Sequence, residues 1–319
     1  AWDIIDTEPY RKTWIKHKGF FSLNMATTRG CPFKCNWCAK PIWGRSTRYR
    51  PPEEVLADAQ QLVALGADRI WFADDIMGLK PGWWQQFADA VERHDARIPF
   101  KCLSRADLIV RDDDSVSALA RAGCDIIWIG AESGSQKILN GMDKGTTVEQ
   151  IYESSHRLHE AGVKIAFFLQ FGYPGETRED IEKTLQMVRD CHPDDVGMSV
   201  SYPLPGTPFY DNVKQQLGKQ QNWTDSADLA MMYEGTFTTE FYRQLHVVLH
   251  KEFRSRKVWT QLKRGKVGSM RELVASVYRM ATLPYARWKL ERLTAVSPHH
   301  LNTLPHMSLQ EAAKPTAQT

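Results

Sequence analysis

The sequence predicts an α/β chain: a partial (β/α)6 TIM-like barrel followed by a C-terminal, mostly helical extension. Three observations predict it. Apolar runs bounded by turn residues recur about every thirty residues, the length of a strand plus a returning helix. Segments with helical apolar spacing separate these runs, and strands joined by helical crossovers make a parallel sheet. The count stops at six, where Pro203-Leu-Pro-Gly-Thr-Pro208 forbids a regular continuation. Six units fall short of the eight that close a full ring.

The first strand is expected over Phe21–Thr28, running into a cysteine loop. A helix follows over Pro52–Leu65, opened by Pro51-Pro52 and stopped by Gly66. Arg69–Asp75 is the second strand, with its helix near Gly82–His94. Phe100–Arg105 and Asp114–Ala122 make the third unit, ended by Gly123. Asp125–Glu132 and Thr147–Ala161 make the fourth, closed by Gly162. Lys164–Gly172 and Glu176–Asp190 are the fifth, and Asp195–Tyr202 is the last strand. In a barrel of this connectivity, reacting groups collect at the carboxyl ends of the strands.

Cys31, Cys35 and Cys38 occupy the loop after the first strand at spacing C-x-x-x-C-x-x-C. Three thiols so close in sequence can converge on one metal centre. Zinc closes a structural site with four N or S donors, and the common iron–sulfur runs offer four thiolates. Three donors leave a position open, which suits reactivity better than storage. A three-cysteine zinc site and three unrelated thiols are the alternatives. Cys102, Cys124 and Cys191 have no cysteine near them in sequence and read as core thiols, with no second cluster expected. Such usage fits a reducing, cytoplasmic compartment rather than a disulfide framework.

This spacing, with the aromatic Trp37 just before the third cysteine, resembles the radical S-adenosylmethionine (SAM) superfamily over about residues 2–215. The resemblance implies a 4Fe-4S cluster on Cys31, Cys35 and Cys38, with the amine and carboxylate of SAM on the open iron. It implies reductive cleavage of SAM to methionine and a 5′-deoxyadenosyl radical that takes hydrogen from a small or lipophilic metabolite. An electron donor such as flavodoxin or ferredoxin is implied as a partner. Trp37, Asp74, Asp75, Ser104, Arg105, Glu132, Gln170 and Tyr202 become the SAM-binding candidates, and no residue is assigned a catalytic role.

Each strand end also has a plain structural reading. Asp74 and Asp75 suit an ammonium or a cap for the following helix. Arg105, after Ser104, suits a carboxylate held bidentately, or a salt bridge to Asp107. Glu132 emerges from an apolar strand and needs a partner, since an unpaired buried carboxylate costs several kcal/mol; a cap through Ser133 and Ser135 is its alternative. Gln170 reaches toward ribose or substrate, and Gly172, Pro174 and Gly175 form a turn where backbone can approach adenine. Tyr202 opens a segment that, by resemblance, walls off the adenine.

Arg48-Tyr-Arg-Pro-Pro-Glu-Glu-Val55, Trp71-Phe-Ala-Asp-Asp75, Gly130-Ala-Glu-Ser-Gly-Ser135 and Phe171-Gly-Tyr-Pro-Gly-Glu-Thr177 resemble the cobalamin-binding class within the superfamily. That class includes methyltransferases and an anaerobic magnesium-protoporphyrin monomethyl ester cyclase branch. It implies that residues 1–20 are a linker from an N-terminal cobalamin-binding domain, since Trp2-Asp-Ile-Ile-Asp6 resembles the joining segment; a stand-alone barrel is the alternative. Trp37 and Trp43 suit stacking on a planar substrate or a corrin, or ordinary core packing.

The remaining divisions are a core over 21–220, a helical basic region over 221–296 and a disordered tail over 297–319. The 319 residues, 42% hydrophobic and 25% charged with net charge +3, can bury a full core and exclude wholesale disorder. No apolar stretch is long enough to cross a bilayer, and the acidic opening residues are not a signal-peptide pattern. Phe241, Leu245, Val248, Leu249 and Phe253 keep a helical period that should pack on the barrel. Arg243, Lys251, Arg254, Arg256, Lys257, Lys263, Arg264, Lys266 and Arg271 are answered by few acids, chiefly Glu252 and Glu272. This basic face suits a solvated surface, an anionic substrate, a nucleic acid or an acidic lipid surface. Peripheral membrane contact is therefore open, whereas nucleic acid is not favoured. His299 and His300 read as tail residues rather than ligands. The competing functions are RNA modification by methylthiolation, disfavoured by the lack of a second cysteine cluster, and a non-enzymatic electron-transfer module.

Overall fold

The computed structural model describes residues 2–39, 44, 46–217, 229–263, 265 and 269–294. Trp43, Arg264, Lys266, His299, His300 and the tail over 297–319 lie outside them. The chain enters through α1 (Glu8–Lys18), whose side chains are not buried, where a linker is expected. It then forms β1 (Ser22–Met25), a short antiparallel pair β2 (Thr28–Arg29) and β3 (Arg48–Tyr49), and α2 (Pro52–Ala64). Next come β4 (Arg69–Phe72), α3 (Trp83–Arg93), β5 (Phe100–Ser104), α4 (Ala106–Ile109), α5 (Asp114–Ala122) and β6 (Cys124–Glu132). The barrel part finishes with α6 (Gln136–Gly141), α7 (Val148–Glu160), β7 (Lys164–Phe171), α8 (Arg178–Cys191), β8 (Asp195–Val200) and α9 (Pro208–Val213).

Six strands form one sheet in the order β1-β4-β5-β6-β7-β8, every neighbouring pair parallel. The strand–helix alternation produces this order, because a parallel neighbour is reached only through a crossover. The short β2–β3 pair and helices α4, α6 and α9 are additions that periodicity did not reveal, being too brief to show a period. Helices α7 and α8 begin with reciprocal caps, Thr147 with Gln150 and Thr177 with Asp180. Helix α8 thus starts two residues later than expected, leaving Glu176 in the turn.

Alternate side chains separate the two faces of the sheet. One face, with Leu23, Ile70, Phe72, Ile127, Ile129, Phe167 and Leu169, is buried under the helices. The opposite face carries Trp71, Trp128 and Phe168, partly open to solvent. Full burial of each large apolar side chain stabilises by roughly 1.5–3 kcal/mol, so the helix-covered face supplies the core and the other is free to line a lumen. Cys102 and Cys124 are buried and in contact across β5 and β6. They are neighbours in space although distant in sequence, and burial together with their mutual hydrogen bond drives the Cys102 thiol well above its ordinary range.

The extension is a hairpin of α10 (Thr239–Lys263) and α11 (Met270–Thr294). Phe241, Leu245, Val248 and Leu249 are buried and Phe253 packs against the core, as their spacing predicts. Glu252 fastens the hairpin: it accepts from Arg189 of α8 at 2.7 Å and from Arg287 of α11 at 2.6 Å. Burial would raise its carboxyl, but these arginines hold it below the usual range.

Glu176 is fully enclosed between the β7–α8 turn and α10. Its Oε2 accepts from the Gly172 amide at 2.7 Å, while Oε1 has no hydrogen-bond partner. Burial pushes this carboxyl from 4.5 up to about 8. The folded protein therefore keeps a proton that the unfolded chain releases near 4.5, so the stability this carboxyl contributes is full below about pH 4.5 and falls between about pH 5 and about pH 8. Thermal unfolding at several pH values should show this decline, and Glu176→Gln should flatten it by several degrees, at roughly 2–4 °C per kcal/mol. Parallel profiles for the two proteins would refute the assignment.

Candidate active site

The β2–β3 pair clasps the base of the cysteine loop. Gly30, at φ +86°, makes the first turn, and a side-chain carbon there would sit 2.1 Å from the Ser46 carbonyl oxygen. Glycine alone combines that backbone conformation with that approach. Asn36 pins the middle of the loop from both sides. Its amide nitrogen donates to the Gly141 carbonyl at 2.7 Å, its backbone N–H to Met142, and its carbonyl accepts from Phe209. The Tyr173 hydroxyl lies 3.0 Å from the same side-chain nitrogen.

So held, Cys31, Cys35 and Cys38 line one cavity of about 340 Å³. Trp37, Asp75, Ser104, Arg105 and Glu132 border it, with Leu103, Trp128 and Phe168 on the lumen side. The Trp128 and Phe168 rings pack with centroids 4.5 Å apart. Five of the eight predicted SAM-binding residues are thus brought together with the three cysteines. Asp74, Gln170 and Tyr202 are not among the residues bordering the cavity.

Asp74 and Asp75 divide their work as adjacent residues on an extended chain do. Asp75 borders the cavity, while Asp74 is buried behind it and accepts from the Thr27 amide at 2.6 Å, the Thr27 hydroxyl at 2.5 Å and the Thr28 amide at 3.0 Å. Burial raises the Asp74 carboxyl, and these bonds oppose the rise. It ties the end of β4 to the approach of the cysteine loop rather than capping α3. Ser104 donates to the Met77 carbonyl at 2.9 Å. Gln170 donates to Ser201 at 2.9 Å.

Arg105 is 3% exposed, and its fork is occupied within the protein. Nε donates to Asp107 at 2.8 Å, and Nη2 to the Lys144 carbonyl at 2.7 Å and Thr146 at 2.9 Å. Nη1 points at Cys35 Sγ, 3.8 Å away, and the guanidinium lies over the Phe33 ring at 3.6 Å. Of its two sequence readings, the structure displays the Asp107 salt bridge.

Glu132 sits in a bulge of the β6–β7 ladder at φ +55°, a backbone region non-glycine residues rarely occupy. Its carboxylate meets Lys144 Nζ at 2.9 Å, both side chains nearly buried. Gly130 makes room for the pair, since a side-chain carbon there would fall 2.4 Å from the Glu132 carboxylate and 2.6 Å from Lys144 Nζ. In the turn that follows, the Ser133 hydroxyl accepts from the Ser135 amide at 3.1 Å, and the two serines also reach Thr184 and Asp180 of α8. Lys144 and Asn36 are the functional residues that sequence reasoning missed. Lys144 stands in an aperiodic turn beside Gly145, which is the one hint of its special place.

The donor set fits a multi-iron cluster better than a single ion. Among the described residues, no three His, Cys, Asp or Glu side chains converge closely enough to hold one metal ion. The three thiols instead open on a shared space, and the Trp37 Nε1 at its wall is buried with no hydrogen-bond partner.

The profile of the Radical SAM superfamily matches residues 25–188. The chain is 27% identical over 222 residues to bacteriochlorophyllide d C-12(1)-methyltransferase of Chlorobaculum tepidum, covering 66% of this chain and 47% of that protein. It is 28% identical over 197 residues to anaerobic magnesium-protoporphyrin IX monomethyl ester cyclase of Cereibacter sphaeroides, covering 61% and 32% respectively. The fold matches the radical SAM methyltransferase TsrM of Kitasatospora setae, solved with cobalamin and a [4Fe-4S] cluster, with TM-score 0.58 and 22% identity over 66% of this chain and 39% of that one. The chain spans about half the length, or less, of the curated relatives it matches.

Removing one member of a buried ion pair strands the other charge, at a cost of about 3–5 kcal/mol. Lys144→Met should therefore lower the urea midpoint markedly, and Glu132→Gln combined with Lys144→Met should recover most of the loss. Equal stability of Lys144→Met and the native chain would show that the pair contributes nothing.

Proposed function

The chain belongs to the radical SAM superfamily, and from that premise we propose that it is an enzyme holding a 4Fe-4S cluster on Cys31, Cys35 and Cys38 with SAM in the adjoining cavity. The observation that carries this reading is the opening of all three thiols onto one space walled by strand-end polar groups. When bound, the cluster and SAM supply an electron and a sulfonium whose cleavage yields methionine and a 5′-deoxyadenosyl radical.

The remaining work falls to this chain's side chains. Asp75 and the Glu132 carboxylate face the cavity and are suited to the SAM ammonium or ribose hydroxyls, and Trp37 offers both a ring face and an N–H. Arg105 is a positioning residue: its N–H toward Cys35 orients that thiol, and its other donors fix the turn that carries Lys144. Trp128 and Phe168 line the lumen side and suit a planar or lipophilic small molecule. Support for that substrate class also comes from relatives named for bacteriochlorophyllide and magnesium-protoporphyrin. Methylation aided by cobalamin bound outside this chain, or oxidative ring closure, are the two outcomes those names suggest. The division into a joining segment over 1–20, a core over 21–220, a helical region over 221–296 and a tail over 297–319 belongs to the same proposal, as do a small electron-donor protein and a cytoplasmic location.

Anaerobic reconstitution with iron and sulfide should load about four irons per chain. Adding SAM and dithionite should then release methionine and 5′-deoxyadenosine. Cys35→Ala should abolish both products, and Arg105→Lys should reduce iron retention severalfold while leaving the fold intact. Products that match between the native chain and Cys35→Ala would reject the reading.

A further inference from the structure

The outer helix of the C-terminal hairpin has apolar residues on both of its faces. Ser276, Ala286 and Leu290 are its buried residues. Met270, Val274, Val277, Tyr278, Tyr285 and Trp288 are exposed, Met270 by 74%, Tyr278 by 65% and Trp288 by 51%. At 100° per residue these six fall within about 100° of arc, centred about 170° from the buried set. They form one continuous stripe rather than scattered surface residues. A stripe of this extent, about 27 Å from Met270 to Trp288 at 1.5 Å per residue, stays largely exposed, although Lys251 Nζ of α10 lies over the Tyr278 ring at 5.7 Å.

The charges on this helix are mostly basic. Helix α11 carries Arg271, Arg279, Arg287, Lys289 and Arg292 against Glu272 and Glu291. Both acids are engaged: Glu291 with Arg178 at 2.6 Å, and Glu272 with the Ser269 amide at the helix start. Arg287 is turned inward to Glu252. On the helical wheel Arg271 and Lys289 lie about 20° outside the stripe and Arg292 falls within it, over the Trp288 ring at 4.8 Å; Arg279 lies on the opposite side of the helix. Tyr285 and Trp288 stack at 5.7 Å, presenting amphipathic rings side by side.

We propose that this face of α11 is a docking surface for an anionic lipid bilayer, on which the helix lies in the interface plane with Tyr278, Tyr285 and Trp288 inserted at headgroup depth. An apolar stripe rich in tyrosine and tryptophan and edged by arginine and lysine is the composition such helices use. Aromatic rings with a polar edge partition to the membrane–water boundary, and each basic side chain near an anionic surface adds attraction. The helix does not span: among the described residues no helix is long and apolar enough to cross a membrane. Pairing with a second copy is disfavoured by the same charges. An antiparallel twofold contact along the stripe would bring the Arg271 end of one helix against Arg292 of the other. The docking surface is independent of the cofactor reading and serves any lipophilic substrate.

Flotation of the full chain with vesicles tests this directly. Vesicles of equal parts phosphatidylglycerol and phosphatidylcholine should carry the protein, and pure phosphatidylcholine vesicles should carry at least about fivefold less. Tyr285→Glu with Trp288→Glu should lower the bound fraction at least about fivefold; these residues are exposed, so an unchanged circular-dichroism melt should accompany the loss. Raising salt from about 0.05 M to about 0.5 M should weaken binding. No binding to the anionic vesicles, equal binding to both vesicle types, or a double variant that floats like the native chain would each overturn the proposal. So would a native dimer, seen by light scattering, that Trp288→Glu converts to a monomer without any vesicle binding in either protein.

Discussion

The Arg105 guanidinium is the contact on which the site most depends. The loop carrying three thiols has no helix or ladder among its described residues, and a pair of two-residue strands joins its ends. Its shape must come from outside contacts. Arg105 provides several at once, because a planar guanidinium can donate in its plane to Asp107, Lys144, Thr146 and Cys35 while Phe33 covers its face. Lysine offers a single rotating ammonium and no flat face, so it reproduces neither the fork nor the stacking. Asn36 supplies the second restraint, on the residue between Cys35 and Trp37.

These restraints explain why the Glu132–Lys144 pair sits where it does. Arg105 holds the Lys144 carbonyl, which fixes the turn and delivers the ammonium to Glu132. Glu132 occupies a left-handed backbone position inside a strand bulge, an arrangement costing on the order of 1–3 kcal/mol that persists only when its surroundings over-determine it. Two buried charges also lose hydration, and burial of such a pair is weak evidence for stability. A strained, charged, desolvated pair at the edge of a cavity is therefore better understood as preparation for a polar ligand than as a device for folding.

Much of the fold is legible because it rests on local chemistry. The strands over Arg69, Phe100, Cys124, Lys164 and Asp195 begin within a residue of their expected starts, since apolar runs and glycine stops mark them without tertiary help. The site is legible in part. Cysteine spacing and strand-end position pick out Cys31, Cys35, Cys38, Asp75, Ser104, Arg105 and Glu132. They do not distinguish Asp74 from Asp75, because only the fold decides which of two neighbouring carboxylates turns toward Thr27. Gln170 lies at the right strand end yet bonds to Ser201, a partner supplied by the adjacent strand. Lys144 and Asn36 are invisible for the same reason: their partners are twelve residues back and more than a hundred residues forward.

The helical extension bears on the same loop through continuous contacts. Tyr233, near the start of the extension, donates its hydroxyl to the Gly172 carbonyl. Gly172 in turn donates its amide to Glu176, buried beside Tyr242 of α10. The next residue, Tyr173, packs its ring on Phe209 at 5.4 Å and places its hydroxyl against Asn36. The turn after β7 is thus gripped by the extension on one side and by the cysteine loop on the other. Close-packed contacts of this kind transmit displacement because the interior has little free volume to absorb it. Glu252 joins the same hairpin to α8, the helix that follows this turn. The extension is in this sense a structural part of the site, which explains why its inner face is buried as thoroughly as the barrel core.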